Sequence, residues 1–291
     1  MIDWVAELEN YKTQIYKAEP EAGHYHFVDN KSDTLVITAG DSWTWGGSLD
    51  PEKRLDQVYG CLIADHFKAD WINIGCNGWS NSWILLHPAY IINRLKDSLQ
   101  YKKIYVILTL TENGRDIGTH VSHPYDYIQG YRSYGLTEKF YNSVLHACEQ
   151  RWVDQLNQMI ESADDRYCFF LGQNFVWHED LVNCLRNHIT VADSNWIEKL
   201  ADYQLLVRSN RTNLVCGWIF DTLKQINSIA GVKDHSVFQQ WSLDLIDKAN
   251  QVNTWLDSSE LNCNSGASKH PTDIGHQVWA DYVIGNIENH G

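Results

Sequence analysis

A serine, two hydrogen-bond donors and a histidine occupy positions in this sequence from which they could act together on an ester. Ser42 directly follows the apolar run at 34–40, after a single aspartate. A serine hydroxyl attacks an ester only when a base accepts its proton and donors receive the developing oxyanion. Gly78 and Asn113 follow later apolar runs and supply candidate donors, and His270 is a candidate base. These residue types predict a serine nucleophile with an oxyanion hole formed by Ser42, Gly78 and Asn113.

Short apolar runs alternate with longer segments of helical periodicity, and this alternation is typical of a parallel sheet covered by helices. The predicted strands are 34–40, 70–75, 102–110 and 166–172, with 188–192 as a short fifth, and the predicted helices are 51–67, 80–100 and 136–163. Pro88 is expected to kink its helix or to begin a second one. A last helix is expected to start at Thr272, Asp273 or Gly275. The fold class predicted is a doubly wound, flavodoxin-like α/β sheet of about five mostly parallel strands.

The order of elements explains how distant residues would meet. Ligands of open parallel sheets bind beyond the carboxyl ends of the strands, where loops and helix starts converge. The turns at 40–42, 75–78 and 111–114 each follow a predicted strand directly. At position 78 the missing side chain allows a backbone N–H to approach a bound substrate closely. Three polar, glycine-bearing turns are therefore expected at one edge of the sheet.

Taken together, these motifs resemble the SGNH, or GDSL-type, hydrolase family of serine esterases. Gly40-Asp41-Ser42 matches the family's nucleophile turn, and Asn73-Ile74-Gly75-Cys76-Asn77-Gly78 matches its Asn-x-Gly-x-x-Gly block. His270-Pro271 matches the block that ends in His-Pro shortly before the closing helix, and "DIGHQVWADYV" is similar to that helix. The resemblance implies Ser42 as nucleophile, Gly78 as the oxyanion glycine and His270 as the base.

The sequence departs from the family pattern at two places. The third block is usually Gly-x-Asn-Asp, whereas this chain has Thr111-Glu112-Asn113-Gly114, which keeps only the asparagine. The family's aspartate three residues before the histidine is Ala267 here, so His270 needs a backbone carbonyl or an acid from elsewhere as its partner. Asp273 and His276 form an alternative Asp-x-x-His pair. His276, however, is expected one turn into the last helix, where it would pack or cap.

Several side chains beside these turns are candidates for contact with a substrate. Aromatic rings suit stacking on a sugar or packing along an acyl chain, and packing of helices onto the sheet is an equally good interpretation of them. The acid and the charged residues after the third strand suit either substrate contact or a salt-bridged loop. The candidates are Asp41, Trp43, Trp45, Trp79, Glu112 and Arg115, and Trp83 extends the aromatic set.

Length, charge and cysteine content exclude several classes of protein. The 291 residues are interpreted as one domain, 1–291, with 176–258 as a helical insertion packed on the core. A formal net charge of -14 repels phosphate backbones, so no nucleic-acid partner is expected. No membrane insertion is expected, and the absence of a signal peptide together with seven cysteines lacking Cys-x-x-Cys spacing favours the cytoplasm.

His24 and His26 lack an accompanying ligand set, so neither a metal nor another cofactor is expected. The oligomeric state stays open.

Three functions remain on the sequence alone. The first is a serine-dependent ester hydrolase that acts through an acyl-enzyme on a small-molecule or glycan ester, with an O-acetylated carbohydrate as the favoured class. The second is a catalytically impaired SGNH-like protein that binds carbohydrate or serves in assembly, which Ala267 and the altered third block motivate. The third is an acyl transferase that passes the acyl group to an alcohol or amine.

Overall fold

The computed structural model describes residues 2–8, 23–47, 49–111, 138–174, 189–192, 196, 199, 271 and 273–290. In chain order the strands are β1 Gly23–Val28, β2 Thr34–Gly40, β3 Asp70–Cys76, β4 Lys103–Leu110, β5 Tyr167–Gln173 and β6 Ile189–Val191. The helices are α1 Ser42–Trp45, α2 Arg54–Gln57, α3 Tyr59–Phe67, α4 Asn81–Leu95, α5 Glu138–Glu161 and α6 Asp273–His290. Among these elements, no helix is long and apolar enough to cross a membrane.

The strands form one sheet in the order β1-β3-β2-β4-β5-β6. All neighbouring pairs are parallel except β1 with β3, which is antiparallel. The five parallel strands alone have the flavodoxin-like order 2-1-3-4-5, which confirms the predicted fold class. Strand β1 adds a sixth strand at the edge beside β3, beyond the five expected.

The sheet is buried on both faces, as parallel sheets usually are. Along β2, Val36 belongs to a core cluster that includes α3 and α6, whereas Leu35 and Ile37 belong to a second cluster that includes α4 and α5. Successive side chains of a strand point to opposite faces, so near-continuous apolar runs are required to fill both clusters. The helices therefore cover the sheet on two sides and leave its carboxyl edge to the turns.

Two of the predicted helices, 51–67 and 80–100, differ from the structure in where the helix is interrupted. The segment 51–67 is divided at Val58, whose extended backbone (φ -71, ψ 143) separates α2 from α3 while its side chain is fully buried. A second helix does not begin at Pro88, because α4 continues through the proline as one helix of 15 residues. Burial of Leu85, Ile91 and Ile92 on the flanking turns stabilises the helix across the proline.

The segment 176–258 is described only at 189–192, Trp196 and Lys199. Its short strand β6 is confirmed and pairs in parallel with β5, so this part of the segment extends the sheet. Trp196 is fully buried among the core residues under α6. The proposed helical insertion otherwise lies outside the described residues.

Candidate active site

The short helix α1 begins with Ser42, two residues after the end of β2. Asp41 is its N-cap residue, because one carboxylate oxygen, Oδ1, accepts a hydrogen bond from the backbone N–H of Trp43 at 2.9 Å. Capping of this helix is therefore the task of the aspartate and not of the serine. Ser42 is the first helical residue and is 4% exposed.

The Asp41 carboxylate also joins the ends of the next two strands of the sheet. Its Oδ1 accepts a hydrogen bond from Asn174 Nδ2 at 2.9 Å, and its Oδ2 accepts one from Thr111 Oγ1 at 2.9 Å. Thr111 directly follows β4 and Asn174 directly follows β5, and Asp41 itself is fully buried. A buried carboxylate is tolerated only when hydrogen bonds replace water, and these contacts supply them. The turn that carries Ser42 is thus fixed to two neighbouring strand ends.

Asn81 connects this arrangement to the helix that follows the Gly78 turn. Its Oδ1 accepts a hydrogen bond from Thr111 N at 2.8 Å, and its Nδ2 donates to Thr111 O at 3.0 Å. Sequence reasoning missed both Asn81 and Asn174. A signal existed for Asn174, since it is a polar residue two positions after the predicted strand 166–172.

Removal of the Asp41 carboxylate is expected to destabilise the protein strongly. In Asp41→Ala the buried N–H of Trp43 and the amide of Asn174 lose their acceptor and the helix cap is lost, so we expect a loss of about 3 kcal/mol in the free energy of unfolding. Asp41→Asn should lose less of the free energy of unfolding. Its amide oxygen still accepts from Trp43 N, and its amide nitrogen donates to the Thr111 hydroxyl. Denaturant unfolding measures both.

The matched control is Asp50→Ala, since Asp50 is exposed and accepts a backbone hydrogen bond from Glu52 at 3.1 Å. Its loss should cost about 1 kcal/mol or less. Equal losses in Asp41→Ala and Asp50→Ala would contradict a special role of the buried carboxylate.

Gly78 lies in the turn after β3, and β3 is the strand next to β2 in the sheet. Gly40 and Gly75 are paired in the parallel register, so the turns that carry Ser42 and Gly78 begin at the same level of the sheet. Neighbouring strands are about 4.8 Å apart, which brings the two turns side by side. Gly78 is exposed, has a φ of +78°, and a Cβ atom built on it would meet nothing within 4 Å. Glycine is required there by the backbone conformation, and the space beside it is open.

Gly75 allows α1 to lie directly on the sheet. A Cβ atom at this position would be 2.5 Å from Trp45 N, and one at Gly40 would be 1.9 Å from Thr44 Oγ1. Asn73 supports the same contact, because its Nδ2 donates to Thr44 O at 3.5 Å. Two strand-end glycines thus set the height of the serine turn above the sheet.

We expect Gly75→Ala to displace α1, because the obstructing atoms are backbone and have no alternative rotamer. The predicted loss is about 2–3 kcal/mol in the free energy of unfolding, which is the usual cost of overpacking a core. Gly285→Ala is the control, since its added Cβ meets nothing within 4 Å on helix α6. That change should stabilise the helix by up to about 1 kcal/mol. A Gly75→Ala protein as stable as the wild type would refute the close approach.

A second buried group of hydroxyls holds α1 from the other side. The Tyr59 hydroxyl lies 3.1 Å from Thr44 Oγ1 and 3.0 Å from Thr109 Oγ1, which joins α1 and β4. Burial raises the pKa of Tyr59 to about 12, so the phenol is neutral and remains a donor. The position of α1 is therefore set by polar contacts from strands on both sides.

Three of the predicted substrate-contact residues lie inside the protein. Asp41 is fully buried, and Trp43 is 2% exposed, with its ring edge-on to Trp196 at 5.2 Å. Trp79 is also buried and stacks on His87 at 4.1 Å. Burial lowers the pKa of His87 to about 3, so this imidazole is a neutral packing partner. These aromatic rings pack helices onto the sheet.

Trp45 differs from them, because it is partly exposed beside Ser42. The guanidinium carbon of Arg54 lies 4.0 Å from the centre of its ring. Trp83 is 46% exposed on α4, with its ring 5.7 Å from that of His87. Of the four tryptophans that were candidates for substrate contact, Trp45 and Trp83 are thus the two that reach the surface.

The alternative pair Asp273 and His276 occupies two different environments. Asp273 is exposed at the first residue of α6, whereas His276 is fully buried. His276 Nδ1 accepts a hydrogen bond from Tyr59 N at 3.3 Å, and its ring is stacked on that of Tyr59 with centroids 6.2 Å apart. The histidine provides an acceptor for the first N–H of α3, whose N-cap Val58 makes no side-chain hydrogen bond. This is a packing and capping environment.

Asn113, Glu112, Arg115 and His270 lie outside the described residues. Pro271, the residue after His270, is described and is buried. Gly275 O accepts a hydrogen bond from Trp196 Nε1 at 3.1 Å, and Trp196 contacts Trp43. The first turn of α6 is therefore connected through one tryptophan to the residue that follows Ser42.

His24 and His26, whose spacing suits two metal ligands, both lie on β1. His26 lies edge-on to Trp71, with ring centroids 6.0 Å apart, and burial lowers its pKa. Within the described part of the chain, no group of three or more His, Cys, Asp or Glu residues is arranged to hold a metal ion.

Comparison with known proteins gives a distant likeness in structure. No protein-family model matches the chain, and no curated protein matches its sequence. A solved structure of a member of the lipolytic protein G-D-S-L family from Veillonella parvula DSM 2008 is 13% identical over 87% of this chain and 97% of that chain. The TM-score of 0.34 describes a loose similarity, and the assignment of a site gains no weight from it.

Proposed function

We propose that the protein is a serine-dependent ester hydrolase that acts through an acyl-enzyme on small-acyl esters, with O-acetylated carbohydrates as the substrate class. The observation that carries the proposal is the fixed position of Ser42. Asp41 caps α1 and is bonded to the ends of β4 and β5, so the serine stands at the carboxyl edge of the sheet in the first turn of a helix.

In the proposed first step, Ser42 Oγ attacks the acyl carbon while His270 accepts the hydroxyl proton. The negative charge on the former carbonyl oxygen is stabilised by the N–H groups of Ser42 and Gly78 and by the Asn113 amide. Collapse of this intermediate breaks the ester C–O bond, and the leaving alcohol takes its proton from His270. Water then attacks the acyl-enzyme with His270 as base, which releases the acid and regenerates Ser42.

Gly78 suits its role because of its backbone and its surroundings. Its positive φ orients the turn after β3, and the open space beside the missing Cβ leaves room for a substrate oxygen. The paired positions of Gly40 and Gly75 support a common oxyanion hole, since the Ser42 and Gly78 turns begin at neighbouring strand ends.

The proposed role of His270 is supported by the contacts of the chain that follows it. Trp196 binds the backbone at Gly275 and touches Trp43, so the start of α6 is tied to the serine turn. Because Ala267 replaces the usual aspartate, we propose that a backbone carbonyl or another carboxylate orients the imidazole.

The direct test is turnover of 4-nitrophenyl acetate and of an acetylated oligosaccharide by the purified protein. Acetate release at enzymatic rates supports a hydrolase, and absence of release from both esters contradicts it. Addition of a competing alcohol or amine distinguishes a transferase, because a transferase makes the acylated acceptor in preference to free acetate.

The second candidate function is a catalytically impaired carbohydrate-binding or assembly protein on the same scaffold. It is favoured by the low exposure of Ser42, at 4%, and by Ala267 at the position of the usual acid. This alternative predicts saturable binding of an oligosaccharide without ester turnover, and enzymatic deacetylation of the bound sugar excludes it.

A further inference from the structure

Arg54 differs in its surroundings from two other arginines of the described residues, Arg94 and Arg166. Arg94 is paired with Glu7 and Arg166 with Asp164, each at 2.7 Å. No carboxylate of the described residues lies within ion-pair distance of Arg54. Its Nε is buried and makes no hydrogen bond within that part of the chain. A guanidinium has five N–H donors and no acceptor, so this side chain presents unused donors.

The stem and the head of Arg54 are nevertheless held in place. A Cβ atom at Gly46 would be 3.1 Å from Arg54 Cγ, so the stem lies against the end of α1. The guanidinium carbon lies 4.0 Å from the centre of the Trp45 ring, which is a close cation–π contact. Packing of this kind holds the plane of the guanidinium, whose donors find no acceptor among the described residues. Burial lowers its pKa, yet an arginine stays charged at neutral pH.

The position of the pair relative to Ser42 follows from helix geometry. Ser42 and Trp45 are the first and last residues of α1, three positions apart. Side chains at i and i+3 are neighbours on a helix surface, with Cβ atoms about 5–6 Å apart. Trp45 therefore lies beside Ser42, Arg54 packs on the Trp45 ring, and both Trp45 and Arg54 are partly exposed.

We propose that the Arg54 guanidinium, held over the Trp45 ring, binds a carboxylate carried by the ester substrate. The planar donor edge of a guanidinium matches a carboxylate in a bidentate geometry. The net charge of -14 repels anions in general, so an acidic substrate needs a local cation beside the reacting serine. The substrate class is thereby narrowed to acetylated sugar acids. This narrowing rests on the proposed hydrolase function, whereas the carboxylate site stands on Arg54 and Trp45 themselves.

The test has a kinetic part and a binding part. In the kinetic part, kcat/KM is compared for acetylated methyl glucuronoside and acetylated methyl glucoside, which differ in the carboxylate. We expect the wild type to prefer the acidic sugar by about tenfold or more, the effect of one charge-assisted hydrogen-bonded pair. Arg54→Met should reduce that ratio to about one. Lys53→Met is the matched control, because it removes a neighbouring exposed cation and should keep the preference.

The binding part separates failure of the carboxylate site from failure of the hydrolase proposal. Calorimetric titration of the Ser42→Ala protein with glucuronate and with glucose requires no turnover. Tighter binding of glucuronate, lost when Arg54→Met is added, supports the site even in an inactive protein. Equal affinity for the two sugars, or a preference that survives Arg54→Met, overturns it.

If Arg54→Met fails to fold, Arg54→Lys provides the decisive variant. Lysine keeps the charge but lacks the planar fork, so most of the preference for the acidic sugar should disappear. A preference that remains unchanged in Arg54→Lys overturns the bidentate site.

Discussion

Ser42→Ala is expected to reduce kcat/KM for ester hydrolysis by about 10⁴-fold or more, because the acyl-enzyme is no longer formed. The folded structure should survive the change, since Asp41 provides the cap of α1 and the contacts to β4 and β5. Steady-state rates with 4-nitrophenyl acetate, together with a circular dichroism melting curve, separate loss of chemistry from loss of fold.

Ser162→Ala is the matched control for this change. Ser162 is exposed just after α5, and its hydroxyl bonds only to the carbonyl of Gln158 within the described residues. Its activity should equal that of the wild type. A folded Ser42→Ala protein that still hydrolyses the ester at the wild-type rate would remove Ser42 from the mechanism.

The second large effect on activity is expected from substitution of His270, and a substitution of His276 serves as the comparison. His270→Ala should lower kcat by about 10³-fold or more, because no base then accepts the proton of the serine. The wild-type rate should fall at acidic pH, because a protonated imidazole can no longer act as a base. His270→Ala should lose this acid limb of the profile.

His276→Phe should act on stability. The buried N–H of Tyr59 loses its acceptor, which is expected to cost about 1–3 kcal/mol in the free energy of unfolding. The acid limb of the pH profile should persist in this variant. Loss of the acid limb in His276→Phe together with its persistence in His270→Ala would show that His276 is the base and that His270 is not.

The sheet could be predicted from the sequence because its strands carry strong local signals. The runs at β2 and β4 are apolar over almost their whole length, and the segments between them have helical periodicity. The break at Val58 and the continuity through Pro88 were not predictable in this way. In both places burial against the sheet decides the backbone, and a single sequence gives no direct signal of such tertiary contacts.

The candidate site was predictable only in part. Gly40, Ser42 and Gly78 could be placed together because the carboxyl ends of parallel strands meet at one edge. The hydrogen bonds from Asn174 and Thr111 to Asp41 join residues far apart in sequence, and no spacing rule links them. The burial of Trp43 could not be predicted from the residues around it either, because its ring is covered by Trp196, which lies in the other half of the sequence.

The most direct test of the central claim is the mass of the protein after reaction with a fluorophosphonate, followed by mapping of the modified peptide. A serine nucleophile activated by a neighbouring base is phosphonylated at its Oγ, and the account predicts one adduct per chain, located on Ser42. Ser42→Ala should gain no mass. An unmodified wild-type protein, or an adduct that maps to a different residue, would contradict the claim that Ser42 is the nucleophile.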